Sequence, residues 1–190
     1  MRPVLYSFLL LTFFIFSQCK KSIPANPIDE LPPETQTGAN TFGCLVDGKA
    51  FKPGGASLSG GSFRCFYQNL GSAINGGYYF GVSGTFRNNS NGSGSTVGLY
   101  TDSFKIEANT KYKPLIRVKG NPYALYSSYT SNLSYQSYET DGSTYKGEFW
   151  IKKLDTISQI VAGTFWYDAV NTAGQKVEIR EGRFDMHYTR

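Results

Sequence analysis

The stretch from Gly147 to Tyr188, GEFWIKKLDTISQIVAGTFWYDAVNTAGQKVEIREGRFDMHY, reads as a succession of strands parted by short breakers. β-Branched and aromatic residues fill the runs 144–154, 159–169, 176–180 and 183–188, and Thr172-Ala173-Gly174 marks a turn. Val177 and Ile179 share one parity, whereas Phe184, Met186 and Tyr188 take the other. Side chains alternate with period two along a strand, so an extra residue must be absorbed between the two sets. Glu181-Gly182 is the place for that bulge or bend. With Phe184, Met186 and Tyr188 inward, Asp185 and His187 point out, and a lone outward histidine gives no ground for a catalytic site.

The same reasoning extends to the start of the domain. In NTFGCLVDGKAF, residues 40–51, Asp47-Gly48 is a two-residue hairpin signal that sets Val46 against Lys49 and Cys44 against Phe51. Period two places Phe42, Cys44 and Val46 on one face, and in SFRCFYQ it places Phe63, Cys65 and Tyr67 together. Cys44 and Cys65 therefore both sit on aromatic-bearing, core-facing sides. A disulfide between them and two separate buried thiols both remain open, because spacing alone does not bring the Cα atoms together.

Further strands are expected near 62–68, 77–86, 96–101, 112–118, 123–129 and 133–138, with a short helix around 103–110. Between them lie Pro53-Gly54-Gly55, Asn75-Gly76-Gly77, the run RNNSNGSGS from Arg87 to Ser95, Asn121-Pro122 and Asp141-Gly142. Many short strands with glycine-rich turns predict one all-β domain over 41–190, an antiparallel β-sandwich, with a closed or partly open β-barrel as the alternative. VSGTF at Val82–Phe86 is echoed by VAGTF at Val161–Phe165, which suggests a duplicated hairpin. It also places Gly84 and Gly163 where a backbone or ring comes close.

Ahead of this domain, Arg2 and the uncharged run Pro3–Phe16 have the form of a secretory signal over residues 1–18, and 14 residues are too few for a span of about 20. Residues 19–40 hold Cys19 and then four of the eight prolines, without apolar periodicity, and read as a free linker from Ser22 to Asn40. Net charge is +5 for the whole chain, from 19 Lys+Arg against 14 Asp+Glu. The basic residues are scattered singly, which excludes the clustered stripe of a nucleic-acid binder.

FSQC at Phe16–Cys19 resembles a bacterial lipobox, with Gln18 and Phe16 in place of the usual small residue and Leu. ETQTGANTFGCLVDGKAF and VAGTF…VEIREGRFDMHY resemble a family of small uncharacterised Bacteroidetes lipoproteins, over roughly the two ends of the domain. The resemblance implies acylation of Cys19 and a lipid anchor in the outer membrane. Lys20 and Lys21, where exported relatives carry acids, favour its periplasmic face over the cell surface. Asp155-Thr156-Ile157 resembles the motif at which Bacteroidetes O-glycosylate exported proteins, which makes Thr156 a candidate acceptor.

Chemistry is sparse elsewhere. There is no H-E-x-x-H, no CxxC and no G-x-S-x-G, and His187 is the only histidine, so no metal ligand set, cofactor site or nucleophile triad is expected. A carboxylate-based hydrolase remains as an alternative among 14 acids. The reading preferred is a non-catalytic binding or envelope-interaction module, with a glycan or an envelope protein as partner, and the alternative is a glycan- or peptide-binding accessory protein. Its candidate surface is YALYSSYTSNLSYQSYETDGSTY, which carries Tyr123, Tyr126, Tyr129, Tyr135 and Tyr138 among serines and threonines.

Overall fold

The Asp47-Gly48 turn is a hairpin with both residues at positive φ, 47° and 76°, and it pairs Val46 with Lys49 and Cys44 with Phe51, as its sequence predicts. It lies in a computed structural model that describes residues 26–55, 61–71, 76–130, 134–144 and 146–190. The strands are β1 (Thr41–Val46), β2 (Lys49–Phe51), β3 (Phe63–Asn69), β4 (Tyr78–Arg87), β5 (Gly94–Thr101), β6 (Thr110–Tyr112), β7 (Pro122–Tyr129), β8 (Tyr135–Glu139), β9 (Gly147–Asp155), β10 (Ile160–Val170) and β11 (Lys176–His187).

All eleven are linked in one antiparallel network, ordered β2-β1-β11-β10-β8-β7-β5-β4-β3, with β9 on β10 and β6 on β9. β10 divides it. Residues 160–167 pair with β9, whereas only Val170 pairs with β8, at Glu139. The result is two layers, β2-β1-β11-β10-β9-β6 and β8-β7-β5-β4-β3, joined at that corner. Opposite, single parallel bridges join Gly54 to Phe86 and Phe66 to Thr189. Among the described residues no strand ladder closes the sheet into a barrel, and the fold is all-β with the layering of a sandwich.

The core between the layers follows strand parity. Val161, Phe165, Tyr167, Ile179, Phe184 and Met186 come from one layer, and Cys65, Tyr67, Phe80, Val82, Val97 and Leu99 from the other. Tyr167 is fully buried, and its hydroxyl donates to the Leu125 carbonyl at 2.6 Å, which ties β10 to β7. Burial pushes that hydroxyl well above the usual tyrosine pKa. The expected bulge is present in β11: Gly43 and Leu45 oppose Arg183 and Arg180, and Phe165 and Tyr167 oppose Gly182 and Ile179. Glu181 takes the extra position at φ 53°.

Gly163 and Gly84 stand where close approach requires them. A Cβ at Gly163 would lie 2.1 Å from the Trp150 carbonyl oxygen and 2.9 Å from the Phe184 ring, and one at Gly84 would lie 2.7 Å from Phe42. The two hairpins are nevertheless not copies. Val97 opposes Gly84, but Val177 opposes Ala169 while Gly163 opposes Phe184.

Two expectations are corrected, and one alternative that the sequence left open is decided. Residues 113–121 are loop, with only Thr110–Tyr112 paired to β9, because Pro114 offers no amide and Ile116 and Val118 are left exposed. Residues 103–109 form no helix: Ser103 and Asn109 lie at φ 54° and 55°, and Ile106 plugs the core. Cys44 and Cys65 are not bridged. Cys44 faces Phe51 in one layer and Cys65 faces Val82 in the other, so each packs as a small apolar side chain, and burial pushes both thiols up.

The linker reading is corrected over residues 26–40. Asn26 caps a 3-10 turn at Pro27–Glu30 by accepting the Ile28 amide, Leu31 is buried, and Pro32 packs on Gly43. The chain then crosses Asp185. This carboxylate accepts the Thr35 hydroxyl at 2.7 Å and the amides of Thr37, Gly38 and Ala39 at 2.8, 2.7 and 3.2 Å. Asp185 does point away from the core, as its parity requires, but the strap covers it to 1% exposure. Burial raises its pKa, yet the Thr35 hydroxyl and the three amides outweigh burial and hold it below the usual value.

Candidate functional site

The outer face of the β3–β4–β5–β7–β8 layer is where the tyrosine-rich stretch meets other aromatic residues. Parity in β7 sends Ala124 and Tyr126 to the core and Tyr123, Leu125, Ser127 and Tyr129 outward. In β8, Tyr138 opposes Tyr126 on the core side, their rings 5.6 Å apart, and Tyr135 opposes Tyr129 on the outer side. Of the five candidates Tyr123, Tyr126, Tyr129, Tyr135 and Tyr138, the candidate surface is corrected to exclude two: Tyr126 and Tyr138 pack against the core, Tyr126 on the face opposite Tyr123 and Tyr129 as a spacing of three requires. Tyr123, Tyr129 and Tyr135 are brought to the surface together.

Two residues outside that stretch complete the face. Register aligns Phe66, Gly81, Tyr100 and Tyr123 in one row across β3, β4, β5 and β7. Gly81 and Gly98 carry no side chain, and the rings lie down in the space this leaves. A Cβ at Gly81 would sit 2.4 Å from Phe66 and 2.9 Å from Tyr100, and one at Gly98 would sit 2.5 Å from Tyr100. Rings that cover strand glycines in this way shield the backbone and present a flat face outward. Tyr100 and Tyr123 are stacked, with centroids 5.5 Å apart and planes 22° from parallel. Arg117 lies 5.4 Å over the Tyr123 ring.

Burial raises the pKa of both hydroxyls; the Ser83 hydrogen bond opposes the shift at Tyr100, and the Arg117 charge opposes it at Tyr123. Both phenols stay neutral donors at ordinary pH.

A second aromatic row lies six residues along β7, about 20 Å away at the usual strand rise. Here Arg87, Gly94, Tyr129 and Tyr135 are aligned, Arg87 lies 6.0 Å over Tyr129, and Tyr135 is 62% exposed. Between the two rows runs a line of hydroxyls, Thr85, Thr96, Ser127 and Ser137, with the two threonine oxygens 2.9 Å apart. The face is therefore a strip with flat rings at each end and hydroxyl donors and acceptors in the middle.

No family model, curated protein or solved structure matches this chain. The chemistry of the strip has to be read from its own residues. Phe66 and Tyr100 lie outside the tyrosine-rich stretch; their signal was the glycine on the next strand or two residues away, which frees room for a ring.

The remaining candidates are placed as follows. Cys19 lies outside the described residues, as does Tyr145. Thr156 is exposed in the β9–β10 turn beside Ile157, which is 93% exposed, and Asp155 shapes that turn by accepting the amides of Ile157 and Ser158 at 2.9 Å. Those two backbone bonds also hold the Asp155 carboxyl below its usual pKa. Among the described residues no group of three or more His, Cys, Asp and Glu is placed to hold a metal ion, and no helix is long and apolar enough to cross a membrane.

Proposed function

We propose that this chain is a membrane-tethered, non-catalytic binding module that holds a carbohydrate chain along the outer face of its β3–β4–β5–β7–β8 layer. The observation that carries the reading is the row of flat rings, Phe66, Tyr100 and Tyr123, laid over Gly81 and Gly98. A pyranose ring has an apolar C–H face and a rim of hydroxyls. Flat aromatic faces receive the first, and a line of Ser and Thr hydroxyls with flanking guanidinium groups receives the second. An elongated strip of about 20 Å suits a chain of several sugars rather than a single one.

The tether in this proposal is Cys19, acylated at the end of the signal peptide and seated in the outer membrane with the domain on the periplasmic face. Support comes from the lipobox-like FSQC and the short apolar run before it. Several acyl chains at about 0.8 kcal/mol per buried CH₂ give lasting attachment.

Retention of the full chain, in detergent, on insoluble polysaccharides tests the binding face. Tyr123→Ala with Tyr129→Ala should reduce retention at least about tenfold, which corresponds to about 1.4 kcal/mol, with the fold intact by circular dichroism. Unchanged retention in that variant refutes the face. Loss of fatty-acid labelling in Cys19→Ala tests the anchor, and labelling that survives refutes it.

A further inference from the structure

On the opposite layer, the bulge in β11 does something a regular strand cannot. With Ile179 inward, strict alternation would send Arg180 and Gly182 outward and turn Glu181 and Arg183 in towards the core. The extra residue instead puts Arg180, Glu181 and Arg183 all on the outer face, with Gly182 turned in beneath the Phe165 ring. Beside them stand Trp166 of β10 and Glu148 of β9, which are register partners, and Glu34 of the strap. These residues line a recess of about 320 Å³.

Its electrostatics are specific. Arg180 lies 5.6 Å over the Trp166 ring and is fixed there by Asp168 at 2.5 Å and Glu178 at 3.4 Å. Glu148 pairs with Lys111 at 3.0 Å, Glu181 pairs with Arg183 at 3.5 Å, and Glu34 pairs with Lys152. Every charge that lines the recess already has a partner, so a charged ligand would have to displace one. A neutral ligand would not. What the recess offers is carboxylate acceptors, guanidinium donors in fixed orientation, and one flat indole that is 38% exposed. A sugar hydroxyl both donates and accepts, and a pyranose C–H face stacks on indole.

We infer that this recess is a second binding site, for a neutral sugar ring stacked on Trp166 and hydrogen-bonded by Glu148, Glu34 and Arg183. Its volume falls at the lower end of small-ligand pockets, the size of one or two rings. The site is independent of the aromatic strip, from which it is separated by the whole core. It is also finished by the strap: Glu34 precedes Thr35, which Asp185 holds. Two such sites on opposite layers allow one molecule to hold two glycan strands at once.

The chain has two tryptophans, Trp150 and Trp166, so Trp150→Phe leaves Trp166 as the reporter. The full chain carrying that change is titrated with maltohexaose, cellohexaose, xylohexaose and chitohexaose, and with polygalacturonate as the anionic contrast. The expected result is a saturable change in Trp166 emission with at least one neutral sugar, at a Kd of about 1 mM or tighter. Glu148→Gln should weaken it at least about tenfold, and Tyr123→Ala with Tyr129→Ala should leave it unchanged. No saturable response to any of the four overturns the inference. So does an equal response to polygalacturonate, or a response lost with the two tyrosines. If Trp150→Phe does not fold, calorimetric titration of the chain carrying Tyr123→Ala and Tyr129→Ala, with and without Glu148→Gln, gives the same decision: no heat of binding, or heat unchanged by Glu148→Gln, overturns the inference.

Discussion

Replacing Asp185 by alanine asks how firmly the strap is held. The carboxylate accepts one hydroxyl and three amides between 2.7 and 3.2 Å. A hydrogen bond to a charged group contributes about 1.5–3 kcal/mol, so four of them suggest roughly 6 kcal/mol or more. That sum is not reached, because residues 26–40 can lift off and give their donors to water. The loss is capped by what docking contributes: burial of Leu31, about 1.5–3 kcal/mol, with little added by the half-exposed pair of Lys52 and Glu30. Asp185→Ala is therefore expected to cost about 3 kcal/mol, and to lower Tm by about 6–12 °C for a domain of this size.

Thermal melts of the full chain in detergent measure this cost, and limited proteolysis reports cleavage between residues 26 and 40. Acid provides a second arm. A carboxyl whose folded pKa is depressed contributes stability that is present above about pH 3.9 and is lost as pH falls through its lower folded value. Protection of the strap should then fade only below about pH 4, and Asp185→Ala should remove that dependence. A variant that melts with the wild type and resists protease equally would refute the reasoning.

Gly163→Ala should destabilise by about 1–3 kcal/mol or more, since its Cβ would meet the Trp150 carbonyl oxygen at 2.1 Å, while Gly54→Ala, with open space around it, should stay within about 0.5 kcal/mol in the same melts. Thiol titration should find Cys44 and Cys65 unreactive in the native chain and both free on unfolding without reductant; a missing thiol would mean a bridge. Tyr126→Ala, which strips the core side of β7, should lower Tm clearly, whereas Tyr135→Ala should leave it nearly unchanged; equal effects would contradict the assigned faces. Burial and then the neighbouring Tyr78 and Tyr188 push the Tyr67 hydroxyl up to about 12, so stability should be full below about pH 10 and fall as pH rises towards 12, with Tyr67→Phe flattening the fall.

Local rules explain what the sequence made legible. Asp47-Gly48 needs two positive φ values and has the residues that accept them; the parity conflict between Ile179 and Phe184 admits only an inserted residue, and Glu181 supplies it. What stayed hidden depended on partners distant in sequence. Thr35 and Asp185 are 150 positions apart, and nothing in a proline-rich segment announces the carboxylate that will hold it. Residues 112–118 have strand-like composition, but Pro114 offers no amide to extend the pairing with β9 beyond Tyr112. For the candidate face, Tyr123, Tyr129 and Tyr135 were visible by composition and Tyr126 and Tyr138 were misplaced with them. Phe66 and Tyr100 emerged only once register set them over glycines.

The strap also determines how the molecule is leashed. A free linker to Asn40 would let the sandwich drift up to roughly 60 Å from its anchor. With the chain captured from Asn26 onward, only six residues separate Cys19 from the first fixed point, a contour of at most about 25 Å. If Cys19 carries the lipid, the domain is held low over the bilayer, and the leash meets it first at β2 and β1, where Glu30 pairs with Lys52 and Pro32 packs on Gly43, and then at Asp185 of β11. Tension along the leash would then be met first by the docked turn and the buried Leu31, and next by the Asp185 clasp. Whatever the two outer faces hold would, with that anchor, be kept within a few nanometres of the lipid surface.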